Sequence, residues 1–446
     1  MQNNCEHVNE KIEARVCKHF LHTDEEYLDY ARSFTGEGMR SDYLCLNCLK
    51  QKDACSDIEL VPICNQCLEE RVEDYGDPEC MRGCPEILIS DQSFELIIDR
   101  LPLPRELGVV VDAIPHHHSS RHDWLVLSQD GILHRLDSNQ MTSEHVAQNC
   151  LRKEPSHEPW CNHKINPRLC TSSCGTYAAV TNDYGQFGCV IDIQSGYTTM
   201  DLDGGKYHSR TVPFSIAFSE RGGECVVIHR TDWNRLDFSN PATGELLSDR
   251  SPTSYTNDDQ RPEHYLDYFH GRLHVSPSGK HIADDGWVWS PVGIPITWQL
   301  SEWLEVNVWE SEDGPTQQSC VQRSYYWDCP MVWIDDARLA VGGIGVDDEE
   351  MIPGVRIFDV SYASDSSSRW RCAKEVKSFA GPKGKFFSDG VHLYSADIEG
   401  LSRWDAESGV RTGFTAGFVP SAFFCNSRVF SGIQDGSIVS ARIPIP

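Results

Sequence analysis

From about residue 86 onward, apolar side chains recur at every second position in short runs, and Asp, Gly and Asn separate the runs. The clearest are DWLVLSQDGILHRLD (123–137), TYAAVTNDYGQFGCVIDIQSG (176–196) and GECVVIHRTDWNRLDFSNPATG (223–244). KHIADDGWVWS (280–290), RLAVGGIGVDDEEMIPGVRIFDV (338–360), VHLYSADIEGLSRWDAESG (391–409) and RVFSGIQDGSIVSARI (428–443) follow. A period of two marks half-buried strands. Each run has an apolar strand, a polar turn and a second strand, which usually closes on Asp or Ser with Gly soon after. Seven such units fill about 340 residues, roughly 45–50 apiece, slightly above the period of WD-type repeats. No long helical pattern follows residue 107. Ahead of the repeats, residues 22–34 (HTDEEYLDYARSF) predict a helix: Thr23 caps, Glu26 sits three residues on, and Tyr27, Leu28, Ala31 and Phe34 share a face. Gly36 and Gly38 would stop it. A second short helix is expected just after Cys67.

The recurrent unit resembles a β-propeller blade of the WD40 or YVTN-like kind. SPSGKHIA (276–283) carries the turn between a blade's first two strands, and RWDAESG (403–409) places Trp404-Asp405 where the WD dipeptide would stand. IDIQSG, LDFSNPATG and IFDV occupy the equivalent place. Only Trp404-Asp405 puts a WD dipeptide at the blade position, and the Gly-His dipeptide of standard blades is absent, so the resemblance is to a divergent propeller. It implies a mainly β fold: a seven-bladed propeller over 108–446, preceded by a linker (85–107) and a small α+β module (1–84). A β-sandwich pair is the alternative architecture, but seven similar units favour radial repetition. The last unit supplies only three strands (421–425, 428–433, 437–443), so ring closure calls for a strand from elsewhere. GVVVDAI (108–114) or ELIID (95–99) could provide it.

The first 67 residues hold eight candidate metal ligands in four pairs: Cys5 and His7, Cys17 and His19, Cys45 and Cys48, Cys64 and Cys67. Each C-x-x-C sets two thiolates on one tight turn, and two such turns complete the tetrahedron that structural Zn²⁺ prefers. A Cys-x-His pair in an extended segment also points both side chains one way. Eight donors fit two zinc ions. A module this small needs the metal for folding energy. Cys80 and Cys84 could make a further knuckle, but no remaining pair faces them. The four pairs also resemble the cross-brace of RING ubiquitin-ligase domains, in which the first and third pairs share one ion and the second and fourth the other. The order departs from it, since both Cys-x-His pairs come first here.

Composition narrows the partner. The net charge of −28 argues against nucleic acid and anionic membranes, and residues 1–84, with 18 acidic and 9 basic side chains, offer no basic patch. No run approaches the ~20 apolar residues of a membrane helix. The start lacks a cationic segment followed by an apolar one, and the cysteines beyond residue 84 are scattered singly. A cytoplasmic protein with reduced thiols is expected. His116-His117-His118 and Asp347-Asp348-Glu349-Glu350 read as solvated loops, the latter lacking the spacing of a calcium loop. Trp287, Trp289, Trp298, Trp303 and Trp309 crowd one unit, with Trp327 and Trp333 nearby. Indoles packed between blades and an exposed binding platform are the two readings. No motif of hydrolases, nucleotide-binding loops or zinc proteases occurs. The expectation is a non-catalytic scaffold that recognises a protein partner. The alternatives are a propeller hydrolase or lactonase with a metal in the central channel, and a RING-like ligase module.

Overall fold

The computed structural model describes residues 14–22, 30–34, 41–45, 48, 59–63, 67–68, 87–90 and 94–443, the last with gaps at 117–122, 138–139, 156–162, 251–261, 290, 362–370 and 425–426. The chain is mainly β. Its first sheet contains β1 (Ala14–Cys17), which runs into the short helix α1 (Lys18–His22), then β2 (Tyr30–Phe34), β3 (Ser41–Cys45) and β4 (Leu60–Ile63), in the order β2-β3-β1-β4. β1 is parallel to β3 and antiparallel to β4. Of the helix expected over 22–34, the last five residues form a strand instead. α1 ends at His22, and residues 30–34 pair antiparallel with β3, Tyr30 opposite Cys45 and Phe34 opposite Ser41. The motif Tyr-Ala-Arg-Ser-Phe alternates as well as it cycles, and the pairing with β3 decides between the two periods. Residues 23–29, Gly36 and Gly38 lie outside the described residues. After Cys67 the expected helix is represented by Cys67 and Leu68, and its continuation lies outside the described residues.

Seven further sheets follow, numbered I to VII. β5 (Ile97–Pro102) belongs to the last of them, and β6 (Val110–Pro115) opens sheet I, which continues with Asp123–Ser128, Leu133–Asp137 and Thr142–Ala147. Sheets II (166–203), V (331–380) and VI (385–416) are likewise four-stranded; sheet III (216–239) has three strands and sheet IV (269–372) six. Sheet VII takes Ala422–Phe424, Val429–Gln434 and Ser437–Arg442 from the C-terminal end and β5 as its fourth strand, Ser437 opposite Pro102 and Arg442 opposite Ile97. Of the two candidate closing segments, the one around 95–99 supplies this strand; 108–114 starts sheet I instead. Further upstream, residues 88–90 bond to the outer strand of sheet VI, with Arg411 donating to Leu88 and accepting from Ser90.

The seven alternating runs are the middle hairpins of these sheets. In sheet II, for example, Tyr177–Asp183 pairs with Phe187–Asp192. One turn chemistry recurs after the third strand. Asp192 Oδ1 accepts from the Ser195 amide at 2.7 Å and its hydroxyl at 2.9 Å, and Gly196 takes φ +72°. Asp405, Ser408 and Gly409 repeat this (both bonds 2.7 Å, φ +78°). The carboxylate terminates the strand, and glycine adopts the left-handed conformation at no steric cost.

Buried apolar side chains pack between neighbouring sheets rather than in one central core. Leu125 and Leu127 of sheet I meet Val180 and Ile191 of sheet II, and Val190 of sheet II meets Ile216 and Val227 of sheet III. Phe238 of sheet III meets Trp298 of sheet IV, and Ala283 of sheet IV meets Met331 and Leu339 of sheet V. Val355 of sheet V meets Leu393 and Trp404 of sheet VI, and Tyr394 of sheet VI meets Phe430 of sheet VII. Ile438 of sheet VII then packs on Trp124 and Val126 of sheet I. The turn between second and third strands shares one end of each sheet with the connection to the next sheet. The other two turns lie at the opposite end.

Sheet III lacks a fourth strand. Residues 246–250 take that place: Leu247 donates to Phe238 O at 2.9 Å, and fully buried Arg250 joins Asp237 (3.1 Å), Glu312 (2.6 Å) and Val308 O (2.8 Å) beneath the Trp309 ring.

Candidate metal centre

The parallel pairing of β1 with β3 places their C-terminal ends side by side, and each strand ends on a cysteine. Cys17 closes β1 and His19 follows on α1; Cys45 closes β3 and Cys48 sits one turn later. The ligand atoms of Cys17, His19, Cys45 and Cys48 all lie within 4.8 Å of one another. His19 Nδ1 is 3.2 Å from Cys48 Sγ and 3.7 Å from Cys45 Sγ, and the Cys45 amide donates to Cys17 Sγ at 3.4 Å. Tetrahedral zinc with sulfur at ~2.3 Å needs donor separations of about 3.8 Å, so the four groups suit one such ion. The three cysteines are buried, while His19 faces solvent. Burial, with Cys17 and Cys45 alongside, pushes the Cys48 thiol up to about 12. A bound divalent metal would hold these sulfurs as thiolates. Arg15 and Asp42 make a two-point ion pair (2.9 and 3.2 Å) across the same strands, next to the cluster.

This grouping differs from the expected one in two ways. The Cys-x-His pair is not extended; it straddles a strand-to-helix junction, where the backbone turn aims both donors at one point. And Cys45 and Cys48 face Cys17 and His19 rather than the second C-x-x-C, because strand register decides which ends meet. Cys67 is half-buried against the same small core of Val16, Phe20, Leu44 and Ile63 but stands outside the four-ligand cluster. Cys5, His7 and Cys64 lie outside the described residues, as do Cys80 and Cys84.

Elsewhere the candidate residues separate. His116 is buried and its Nε2 contacts Gly175 O at 2.8 Å, tying sheet I to sheet II; His117 and His118 lie outside the described residues. Asp347, Asp348, Glu349 and Glu350, with Arg323 and Tyr325, line an open depression of about 850 Å³. Trp287, Trp298, Trp303 and Trp333 are buried, the packing reading. Trp289 is 48% exposed and fits the platform reading. It meets Trp287 and His208 edge-on at 5.0 and 5.1 Å, on a cluster where Phe269 stacks on Trp287 at 4.1 Å and Tyr207 reaches Trp233 at 5.3 Å. Thr211 accepts both indole N–H groups beneath, from Trp287 (3.2 Å) and Trp327 (2.8 Å). These rings come from second-to-third-strand turns and inter-sheet connections, hence from one end of the sheets.

Polar groups on or beside the first strands were not legible as a set. Asp183 binds Arg168 at 2.8 Å and Arg272 at 3.0 Å, joining sheets II and IV. Lys385 of sheet VI and Asp112 of sheet I lie in the same charged environment; burial pushes the lysine down and the aspartate up. Only their shared location, set by the repeat geometry, brings them together. Among the described residues no helix is long and apolar enough to cross a membrane. In comparisons with known proteins, no family model and no curated protein matches this chain.

Proposed function

We propose that the chain is a non-catalytic scaffold that recognises a protein partner, built from a two-zinc module and a divergent seven-bladed propeller. The ring reading rests on seven inter-sheet cores, the seventh joining sheet VII back to sheet I, and on β5 completing sheet VII. The observation that carries the function is the aromatic cluster on one end of sheets II to V. Tyr207 (46% exposed) and Trp289 (48%) present large rings to solvent there, over a rigid, hydrogen-bonded base. Such rings anchor protein interfaces because they bury much area with little conformational entropy to lose. The zinc ions are structural in this reading. Cys17, His19, Cys45 and Cys48 fill one tetrahedron without room for water, and Cys5, His7, Cys64 and Cys67 remain as donors for the second.

The rival readings find less support. The carboxylates that could hold a channel metal, Asp183 and Asp112, already face Arg168, Arg272 and Lys385. The cross-brace of a RING domain joins the second pair to the fourth, whereas here the second pair meets the third.

The test compares partner capture by the full chain and by the double variant Trp289→Ala, Tyr207→Ala. Tyr197→Ala serves as the control, since Tyr197 is 75% exposed at the opposite end of sheet II. A hot-spot pair should weaken binding by about 30-fold, the control by little. Equal binding by all three would remove this face from the proposal.

A further inference from the structure

At the end of the sheets opposite the aromatic cluster, two cysteines from neighbouring sheets meet. Cys174 lies in the turn between the first two strands of sheet II, and Cys225 is the second residue of Glu224–Asp232 in sheet III. The turn is held firmly. The Tyr177 amide donates to Ser172 Oγ at 3.0 Å, Gly175 takes φ +68°, and Ser173 Oγ donates to Glu220 of sheet III at 3.2 Å. Cys174 Sγ is 3.2 Å from Ser172 Oγ, and Glu220, which Ser173 holds, stands directly opposite Cys225 in the sheet III ladder, which brings the two thiols near enough to perturb each other's ionisation. Both are half-buried, so a small oxidant can reach them.

We propose that Cys174 and Cys225 are a redox modification site that closes to a reversible disulfide on exposure to hydroperoxides, with Cys174 as the attacking sulfur and Cys225 as the resolving one. The environments of the two sulfurs differ in the required direction. Burial raises the Cys174 thiol, but hydrogen bonds from Ser172, Thr176 and Cys225 outweigh it and bring it below the ordinary range. Burial and then the charge on Cys174 push Cys225 up to about 12, so of the two thiols Cys174 gives up its proton the more readily. The Cys174 thiolate attacks the peroxide O–O bond, which breaks to leave a sulfenic acid and hydroxide; two electrons pass from sulfur to oxygen. The sulfenic acid is uncharged, so the charge that held the Cys225 proton has gone. Cys225 then attacks Cys174 Sγ, the S–S bond forms, the S–OH bond breaks, and the released hydroxide takes the Cys225 proton as water. The two thiols and one hydroperoxide thus yield one disulfide, water and the corresponding alcohol or, for hydrogen peroxide, a second water. A dithiol reductant reverses the bond by exchange. The pair Cys150 and Cys189 supplies a contrast: both are buried, and burial pushes them up to about 11 and 12, so neither can begin the reaction.

Peptide-resolved mass spectrometry on the zinc-loaded full chain, treated with hydrogen peroxide, tests this site apart from the zinc-bound thiols. The expected result is a Cys174–Cys225 crosslinked peptide that forms about tenfold faster than exposed Cys372 is oxidised. Dimedone should label Cys174 in Cys225→Ser and leave it unlabelled in the wild type. Absence of the crosslink while Cys372 oxidises, or equal dimedone labelling in both proteins, would overturn the proposal. The wild-type crosslink needs no variant and stands even if Cys225→Ser folds poorly.

Discussion

Single buried side chains set how this protein responds to acid. Burial pushes His229 down to about 4 and His274 down to about 3, the latter with help from Arg272 and Arg168. A histidine held neutral in the folded state takes its proton first in the unfolded chain, whose value is ~6.5. Its contribution is therefore full above pH 6.5 and falls away as pH drops toward 4. At ~1.4 kcal/mol per unit, His229 alone accounts for roughly 3 kcal/mol at pH 4. His229→Gln, which can keep the 3.0 Å contact to Ser239 Oγ, should flatten the stability slope between pH 6 and 4 by nearly one proton. Urea midpoints across that range would measure it, and parallel slopes would refute it. Asp389 acts lower. Burial alone would raise its carboxyl, but hydrogen bonds from the His392 ring and amide, the Tyr394 hydroxyl and the Val391 amide hold it well below the carboxylate range. Its depressed value means that the stability it lends is present above ~3.9 and disappears only at more acid pH.

At the scale of elements, two substitutes for ordinary strands carry the most weight. Arg250 stands in for the outer edge of sheet III with its charge fully buried. Arg250→Ala leaves buried Glu312 without its ion-pair partner, while Asp237 keeps Arg235, and a loss of about 3–5 kcal/mol in chemical denaturation is expected. β5 is the second. Deleting residues 94–103 should expose the backbone of Ser437–Arg442 as an open edge, and light scattering should report self-association that the parent chain does not show. An unchanged monomer with the same melting temperature would contradict that role. How far these elements could be read in advance follows from burial. The middle hairpins carry a strong apolar signal because both faces of their strands are buried: Leu125 and Leu127 pack toward sheet II, Trp124 and Val126 toward sheet VII. Outer strands such as Thr142–Ala147 and Thr198–Asp203 are largely solvated and carry no such signal. Cys17, His19, Cys45 and Cys48, which the structure groups, were legible from spacing, but which pair faces which was not. Register between β1 and β3, 27 positions apart in sequence but adjacent in the sheet, is a tertiary fact.

For the molecule as a whole, the N-terminal sheet and the seven later sheets should melt separately. Structural zinc supplies about 10–16 kcal/mol in small zinc folds, more than the short apolar core around Phe20 and Leu44 can replace. Chelation, or Cys45→Ser, should therefore unfold the N-terminal sheet while the β signal from residues 94–443 persists. Elemental analysis of the replete chain is expected to return two zinc ions, and a value of one would confine binding to the Cys17, His19, Cys45 and Cys48 cluster. The shared construction of sheet VII bears on synthesis as well as on stability. β5 leaves the ribosome about 340 residues before Ser437–Arg442, the strand that it pairs with. At ~5–20 residues per second it waits roughly 20 to 70 s as a nascent segment with its backbone donors and acceptors unpaired. During that interval the chain is a substrate for chaperones, and a prematurely terminated product never leaves that state. Pairing with Ser437–Arg442 thus serves as a completeness check: a copy truncated before it keeps the backbone groups of β5 unpaired, whereas a copy that contains it has them hydrogen-bonded within a sheet.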